Sequence, residues 1–325
     1  MYYNRKISDS FAQLLKEGGD LRWLFDYVKS IKELDFLIGK NKSKEWISVY
    51  RGLSRLITIQ KTSSSNTVKI DGANSYKSIM PNIYGKKATT FDFRKNLDEL
   101  LHHIVNDEKF DRYYYNRKEG YFQNQLSRKF GIDGTRDNDF VIIDKEAVVG
   151  YSNQEEKNHK FGKLQKRYKE LQREISSLNP RRYGKDSRKK SIGNELDFLA
   201  LDKKGNILLI EYKHGTNTSG TYLSPLQIGL YYDIFRSFSK TDLEKAVFEM
   251  LRQKQEIGLI PPDWIPPNEI KNVIPILIIS EYNYKSSARK KYQEILNICR
   301  EKFGNGFLKD IITYNYTEDN GLTTW

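Results

Sequence analysis

Residues 194–213 read NELDFLALDKKGNILLIEYK, and the fold class is decided by how this stretch folds. Two apolar runs, Leu196–Leu201 and Ile207–Tyr212, flank the polar segment Asp202-Lys203-Lys204-Gly205-Asn206. Runs of strand length on either side of turn residues predict a β-hairpin. A glycine closing a three-residue loop points to a type I turn with a G1 bulge. With Asp202 facing Asn206, the register sets Asp197 opposite Glu211 and Glu195 opposite Lys213. Strand side chains alternate, so these four project from one face, with Leu199 and Leu209 beside them. Apolar residues flank them on both faces, which predicts a central hairpin covered on both sides.

Opposed side chains stand about 4.5–5.5 Å apart at Cβ, close enough for two carboxylates to share one ion. Buried like charges repel, and one would protonate unless a cation intervened. A divalent metal removes the conflict, since Mg²⁺ is held by one or two carboxylates with water and phosphate completing its shell. The competing reading is a cross-strand salt-bridge lattice on an exposed face. Glu-x-Lys alone says little, because it recurs at Glu155/Lys157, Glu211/Lys213 and Glu269/Lys271. Only the second ends an apolar strand with an aspartate opposite its glutamate.

Outward from the hairpin, the pattern predicts a helix near 117–130, a strand or hairpin at 139–151, a basic helix near 154–178 and a basic loop at 179–192. Helices follow at 224–238 and 241–256, then a strand at 273–280, a helix at 285–303 and a strand at 309–316. Pro261–Pro267 (PPDWIPP) reads as a stiff connector. Residues 1–110 read as α+β. Phe11, Leu14 and Leu15 and then Leu21, Leu24, Phe25 and Val28 recur at helical spacing, broken by Gly18-Gly19. Trp46–Gln60 is strand-like and interrupted by Gly52, Thr62–Asn66 is a turn, and Thr67–Ile70 is a short strand. Phe91–Val105 carries Leu97, Leu100, Leu101 and Ile104 on one helical stripe. His102 and His103 lack a second ligand pair and read as surface or cap residues. The expected division is an N-terminal α+β domain of unassigned role, 1–110, and an α/β domain, 111–325, with a basic helical insertion at 152–192.

The 325 residues are 38% hydrophobic and 13% aromatic, which excludes a disordered tail protein. A single cysteine, Cys299, excludes a disulfide framework, a cysteine-rich zinc site and a cysteine-ligated iron–sulfur cluster. The longest apolar run, Val273–Ile279, is too short to span a bilayer, and the first ten residues lack the apolar core of a signal peptide. A globular, soluble, cytoplasmic protein is expected. Lys and Arg number 55 against 42 Asp and Glu, a formal net charge of +13. Biased composition enriches lysine but does not cluster it. Residues 152–192 hold thirteen Lys and Arg against five Asp and Glu, so the excess is concentrated there. Lys163, Lys166, Arg167, Arg181, Arg182, Lys189 and Lys190 are therefore expected to track phosphates without reading base sequence. A merely solvated basic face is the alternative.

Asp197, thirteen intervening positions and then Glu211-Tyr212-Lys213 on the next strand resemble the motif of the PD-(D/E)xK nuclease superfamily. Gln227-Ile228-Gly229-Leu230-Tyr231 resembles the Q-x-x-x-Y motif of its RecB-like branch. The resemblance spans roughly 117–280 and says nothing of residues 1–110. Leu196 stands where many members have proline, and the missing cysteines exclude the iron–sulfur relatives. The resemblance implies an α/β fold, a restriction-endonuclease-like mixed central sheet flanked by helices. It implies that Asp197 and Glu211 bind Mg²⁺ or Mn²⁺ with help from the Tyr212 carbonyl. Lys213 would orient or deprotonate the attacking water and neutralise charge on the phosphate. A further glutamate often comes from the first core helix, for which Glu119 is the expectation, with Gln123 and Glu174 as competitors.

Gln227 keeps two readings, because Ser224-Pro225-Leu226-Gln227 also forms a capping box with serine as N-cap. Tyr231 is either the motif tyrosine or a packing residue. Glu195 reads as the ion-pair partner of Lys213, and His214 opens a polar loop that could touch phosphate or merely connect. The implied activity is metal-dependent phosphodiester hydrolysis, with DNA favoured over RNA and a role in restriction or phage defence. Double-strand cleavage by one site per chain would require a homodimer. The reading from another class is a non-catalytic nucleic-acid-binding or partner-docking protein on a nuclease-like scaffold.

Overall fold

A computed structural model describes the chain except residues 62–66, 78–80, 83, 86, 117, 184–191 and 194. It divides into two compact units. Asn4–Val141 and Lys245–Ile265 form the N-terminal unit; Met1–Tyr3, Ile142–Glu244 and Pro266–Trp325 form the C-terminal unit. The boundary expected after residue 110 falls inside a helix, Glu108–Asn116, of the N-terminal unit.

In the N-terminal unit, helices α1 (Asp9–Ala12) and α2 (Arg22–Ser30) precede a sheet of β1 (Leu34–Lys40), β2 (Glu45–Arg51), β3 (Ser54–Lys61), β4 (Thr67–Asp71) and β5 (Lys87–Thr89). These five run in sequence order, each antiparallel to the next. The strand-like run broken at Gly52 is the β2–β3 hairpin, and Gly52 takes a φ of +59° in its turn. The predicted turn at Thr62–Asn66 lies outside the described residues. Helix α3 (Asn74–Lys77) and then α4 (Thr90–Asn106), α5 (Glu108–Asn116) and α6 (Lys118–Lys129) complete the unit's first segment. Leu97, Leu100, Leu101 and Ile104 of α4 are fully buried in one core with Phe11, Leu15, Leu24, Phe25 and Val28, as their spacing predicts.

The C-terminal unit is built on a mixed sheet. Its strands are β6 (Phe140–Ala147), β7 (Leu196–Asp202), β8 (Asn206–His214), β9 (Asn272–Ser280), β10 (Ile312–Thr317) and β11 (Gly321–Thr324). They lie side by side in that order; β7–β8 and β10–β11 pair antiparallel, β8–β9 and β9–β10 parallel. Between β6 and β7 come the turn α7 (Gln154–Lys157), a π-helical turn at Asn158–Gly162 and α8 (Lys163–Leu178). Helix α9 (Thr218–Arg236) follows β8; α10 (Lys240–Ile257) belongs to the N-terminal unit from Lys245 onward; and α11 (Ala288–Phe303) links β9 to β10. α9 packs on β8 and β9 and also meets α8 and α11. Among the described residues, no helix is long and apolar enough to cross a membrane.

Helix α9 starts six residues before the expected Ser224. Asn217 caps it, its side-chain oxygen accepting Gly220 N–H at 3.0 Å. Pro225 therefore lies inside the helix and withholds the N–H that would bond the Thr221 carbonyl. The Ser224 hydroxyl takes over, donating to that carbonyl at 2.7 Å. This local replacement lets the helix run through proline, and it removes the capping-box explanation of Gln227.

Candidate active site

The hairpin has the register read from the sequence. Phe198 pairs with Ile210, Leu199 with Leu209, Ala200 with Leu208 and Leu201 with Ile207. The turn is held by Asp202, whose carboxylate accepts Lys204 N–H at 2.9 Å and Asn206 N–H at 2.7 Å, while Gly205 takes a φ of +91°. Every residue of β8 is buried, which places the candidate site stretch in the middle of the covered sheet. One step beyond the last pair, Asp197 stands opposite Glu211. There the side chain of Asp197 replaces the ladder, its Oδ2 accepting Tyr212 N–H at 2.8 Å.

Lys213 is drawn into the same place. Its ammonium donates to Glu211 Oε1 and, at 2.8 Å, to the Tyr212 carbonyl, and lies 3.7 Å from Asp197 Oδ2. Glu211 is 0% exposed and Lys213 8%. Among the described residues, two carboxylates thus face one ammonium, and water does not reach Glu211 to screen it. The three oxygens that Lys213 touches are two carboxylates and a main-chain carbonyl, a hard-oxygen donor set suited to Mg²⁺ or Mn²⁺. The ammonium marks the point where those oxygens converge on a cation, so the residues fit such an ion. Among the described residues, no group of three or more His, Cys, Asp or Glu is arranged to hold a metal.

Gln227 and Tyr231 are brought beside this cluster. A Cβ at Gly193 would stand 3.4 Å from Gln227 Nε2, 3.5 Å from the Tyr231 hydroxyl and 3.9 Å from the Glu195 carbonyl. Burial drives the Tyr231 hydroxyl far above the usual tyrosine range, and the charges of Glu211, Asp197 and Glu195 add to it, with Gln227 acting in the opposite sense. Between Gln227 and Tyr231, Gly229 lets α9 approach its neighbours, since a Cβ there would sit 2.5 Å from Phe307 and 2.9 Å from the Tyr168 hydroxyl.

The lysine opens into a cleft of about 190 Å³ whose polar lining comes from Gln172, Asn217 and Gln227. Gln172 was not expected from sequence. It lies on α8 among the buried stripe Tyr168, Leu171 and Ile175, where a glutamine at a core position was the available signal. His214 is 3% exposed and engages Thr216 Oγ1 at 2.8 Å, while its carbonyl accepts Asn217 N–H at 2.7 Å. It therefore shapes the turn into α9. Glu195, expected opposite Lys213, is exposed and precedes β7, while the ion pairs of Lys213 run to Glu211 and Asp197.

Glu119 and Gln123 lie on α6, in the N-terminal unit. Glu174 is on α8 and pairs with Lys302 at 2.5 Å. Of the basic residues, Lys163 and Arg181 are exposed; Lys166 stands 3.9 Å from Glu170; Arg167 lies over the Phe303 ring at 4.0 Å; and Arg182 donates to Glu294 at 2.7 Å. Lys189 and Lys190 lie outside the described residues. The insertion is half core: Tyr168 is fully buried and donates to Asp233 on α9 at 2.8 Å.

No family model matches the chain, and no curated protein and no solved structure matches it either.

Proposed function

We propose that the chain is a metal-dependent nuclease that hydrolyses phosphodiester bonds, with DNA as its substrate, on a PD-(D/E)xK-like scaffold. One observation carries this reading: Asp197, Glu211, the Tyr212 carbonyl and Lys213 converge at the end of a buried hairpin. The mixed sheet with helices packed on it, and the approach of Gln227 and Tyr231, support it further. Asp197, Glu211 and the Tyr212 carbonyl would hold Mg²⁺ or Mn²⁺. Bound there, the ion would lower the pKa of a water and offset charge on the phosphate. Lys213, shifted off Glu211, would hold the attacking water and face the equatorial phosphate oxygens. Gln172 and Gln227 would orient the substrate in the adjoining cleft by amide hydrogen bonds. The exposed cations of α8 would add sequence-independent phosphate contacts.

The test is incubation of plasmid and single-stranded oligonucleotides, DNA and RNA, with Mg²⁺, Mn²⁺ or EDTA. Cleavage that needs metal and disappears in Asp197→Ala and Lys213→Ala is expected. Absence of cleavage by wild type, or cleavage indifferent to both changes, returns the chain to the binding-scaffold reading. Cleavage of RNA alone would replace the substrate while keeping the chemistry.

A further inference from the structure

A second cavity, of about 260 Å³, lies on the same unit and shares one residue with the catalytic neighbourhood. Its floor is apolar, from Val149 and Ile234 among others, and its walls include the rings of Tyr151 and Phe161, whose centroids are 6.4 Å apart and tilted by 49°. Asn153, Gln154 and Lys157, all exposed, stand at its edge. The shared residue is Tyr231. It lines this cavity, while its hydroxyl reaches the surroundings of Gln227 and Glu195 and feels Asp197 and Glu211. Tyr231 is 3% exposed, and Gln227 is the side chain that acts on its hydroxyl.

The backbone that builds the cavity is unusual. Phe161 is delivered by the π-helical turn Asn158–Gly162, set between α7 and α8. Such turns are rare and are found disproportionately at functional sites. Here the wider turn sends an 8%-exposed ring inward, while the residues around it stay polar and exposed.

The geometry points to a nucleobase site: we infer that this cavity receives one base of the substrate strand, turned out of its stack, while the attached phosphate lies at Asp197 and Glu211. The cavity is below the range of about 300–1,000 Å³ that suits drug-sized ligands and fits a single flat ring system. Aromatic walls over an apolar floor suit a base face, and every base has one, so the site tolerates any sequence. Amides at the edge suit its polar rim, and Lys157 suits a neighbouring phosphate. A purely apolar ligand would leave the amide rim unused. The Tyr231 ring lines the cavity and its hydroxyl stands beside Gln227 of the Lys213 cleft, so one residue joins the two places. The base must leave its partner strand, which makes single-stranded or locally opened nucleic acid the substrate class. The inference rests on the nuclease reading and refines it.

The experiment uses the full chain and a single-stranded oligonucleotide carrying 2-aminopurine at successive positions. Binding is followed by fluorescence in EDTA, and cleavage in Mg²⁺. At one position wild type should quench or shift the probe. Tyr151→Ala should abolish that signal and raise KM about tenfold with kcat little changed, the size expected for loss of one stacked base, and Tyr151→Phe should restore both. Lys157→Ala is fully exposed and cannot be confused with misfolding; it should weaken binding a few-fold and reduce the salt slope by about one phosphate contact. Cleavage with unchanged KM and probe signal in Tyr151→Ala and Lys157→Ala would overturn the base site and leave the nuclease standing. A Tyr151-dependent probe signal without any cleavage would keep the base site and sink the nuclease reading. Neither signal nor cleavage would sink both.

Discussion

The two sheets of this protein bury polar groups in opposite ways. In the N-terminal unit three buried polar clusters are balanced. Ser48 and Thr58, facing each other across β2–β3, share a hydroxyl–hydroxyl hydrogen bond of 2.8 Å. Arg51 is buried against Asp111 and donates to the Ile104 carbonyl at 3.1 Å. Arg128 donates to the carbonyls of Val28, Lys29, Ile31 and Leu34 and forms a fork with Asp133, at 2.6 and 2.9 Å. In each case charge matches charge or a neutral pair closes on itself. At the end of β7–β8, two carboxylates share one ammonium, and the imbalance lies on a strand with no exposed residue. Balanced burial is what stability alone would select; unbalanced burial is kept where something else binds.

The largest effect that could break this contrast is catalytic. Asp197→Ala or Lys213→Ala should lower metal-dependent cleavage by about 10²–10⁴-fold, as loss of a positioned acid–base or charge-stabilising group does. Ser48→Ala should leave it unchanged. Equal losses in both sheets would mean that the assay reports folding and not a site.

Next comes Arg128→Ala, which leaves Asp133 and four carbonyls without their donor. It should cost about 3–5 kcal/mol by chemical denaturation, since breaking a buried pair strands its partner. The folded fraction should still cleave at the wild-type rate. A cost below about 1 kcal/mol would show that the balanced network is ornamental.

The sign reverses at the β7–β8 hairpin. Asp197→Asn keeps an oxygen for Tyr212 N–H but removes the surplus charge. Without metal it should stabilise by about 0.5–2 kcal/mol, the usual gain when a functional strain is relieved. Mg²⁺ should raise the melting temperature of wild type by binding the native state, and should fail to do so for Asp197→Asn. Destabilisation of the metal-free variant would contradict the imbalance.

Ser48→Ala is expected to cost about 1 kcal/mol because Thr58 loses its partner, and Thr58→Val in the same chain should recover much of it. The smallest effect concerns Glu156, whose pKa is held at about 2 by the Met1 ammonium first and then by Ser152 N–H. Its folded pKa lies below the ordinary value of 4.5, so its contribution is complete above about pH 4.5 and is lost as pH falls toward 2. Glu156→Gln should flatten that limb of an acid titration followed by circular dichroism.

The legible parts of the molecule are those governed by short-range pattern. Leu97, Leu100, Leu101 and Ile104 announced α4, and the strand-like run interrupted at Gly52 announced β2 and β3 without their pairing. β1 passed unread because LDFLIGK is short and carries a glycine, and β11 because GLTT has almost no apolar signal. The start of α9 was misplaced because a serine–proline pair is a good helix opening. Its rescue, by the Ser224 hydroxyl on the Thr221 carbonyl, is a detail of three-dimensional hydrogen bonding. Gln172 was hidden because nothing local separates a glutamine that lines a cleft from one that merely fills a stripe.

From the amino-acid sequence alone come the β7–β8 hairpin, its register and the opposition of Asp197 to Glu211. Period-two alternation and a glycine turn fix those without any other part of the chain. The tertiary structure alone decides that the Lys213 ammonium turns back onto Glu211, that Gln227 and Tyr231 close on the same carboxylates, and that a π-helical turn sets Phe161 in a cavity beside them. The last two relations join residues on different elements, and helix packing against the sheet sets them; the first is a rotamer choice within one strand.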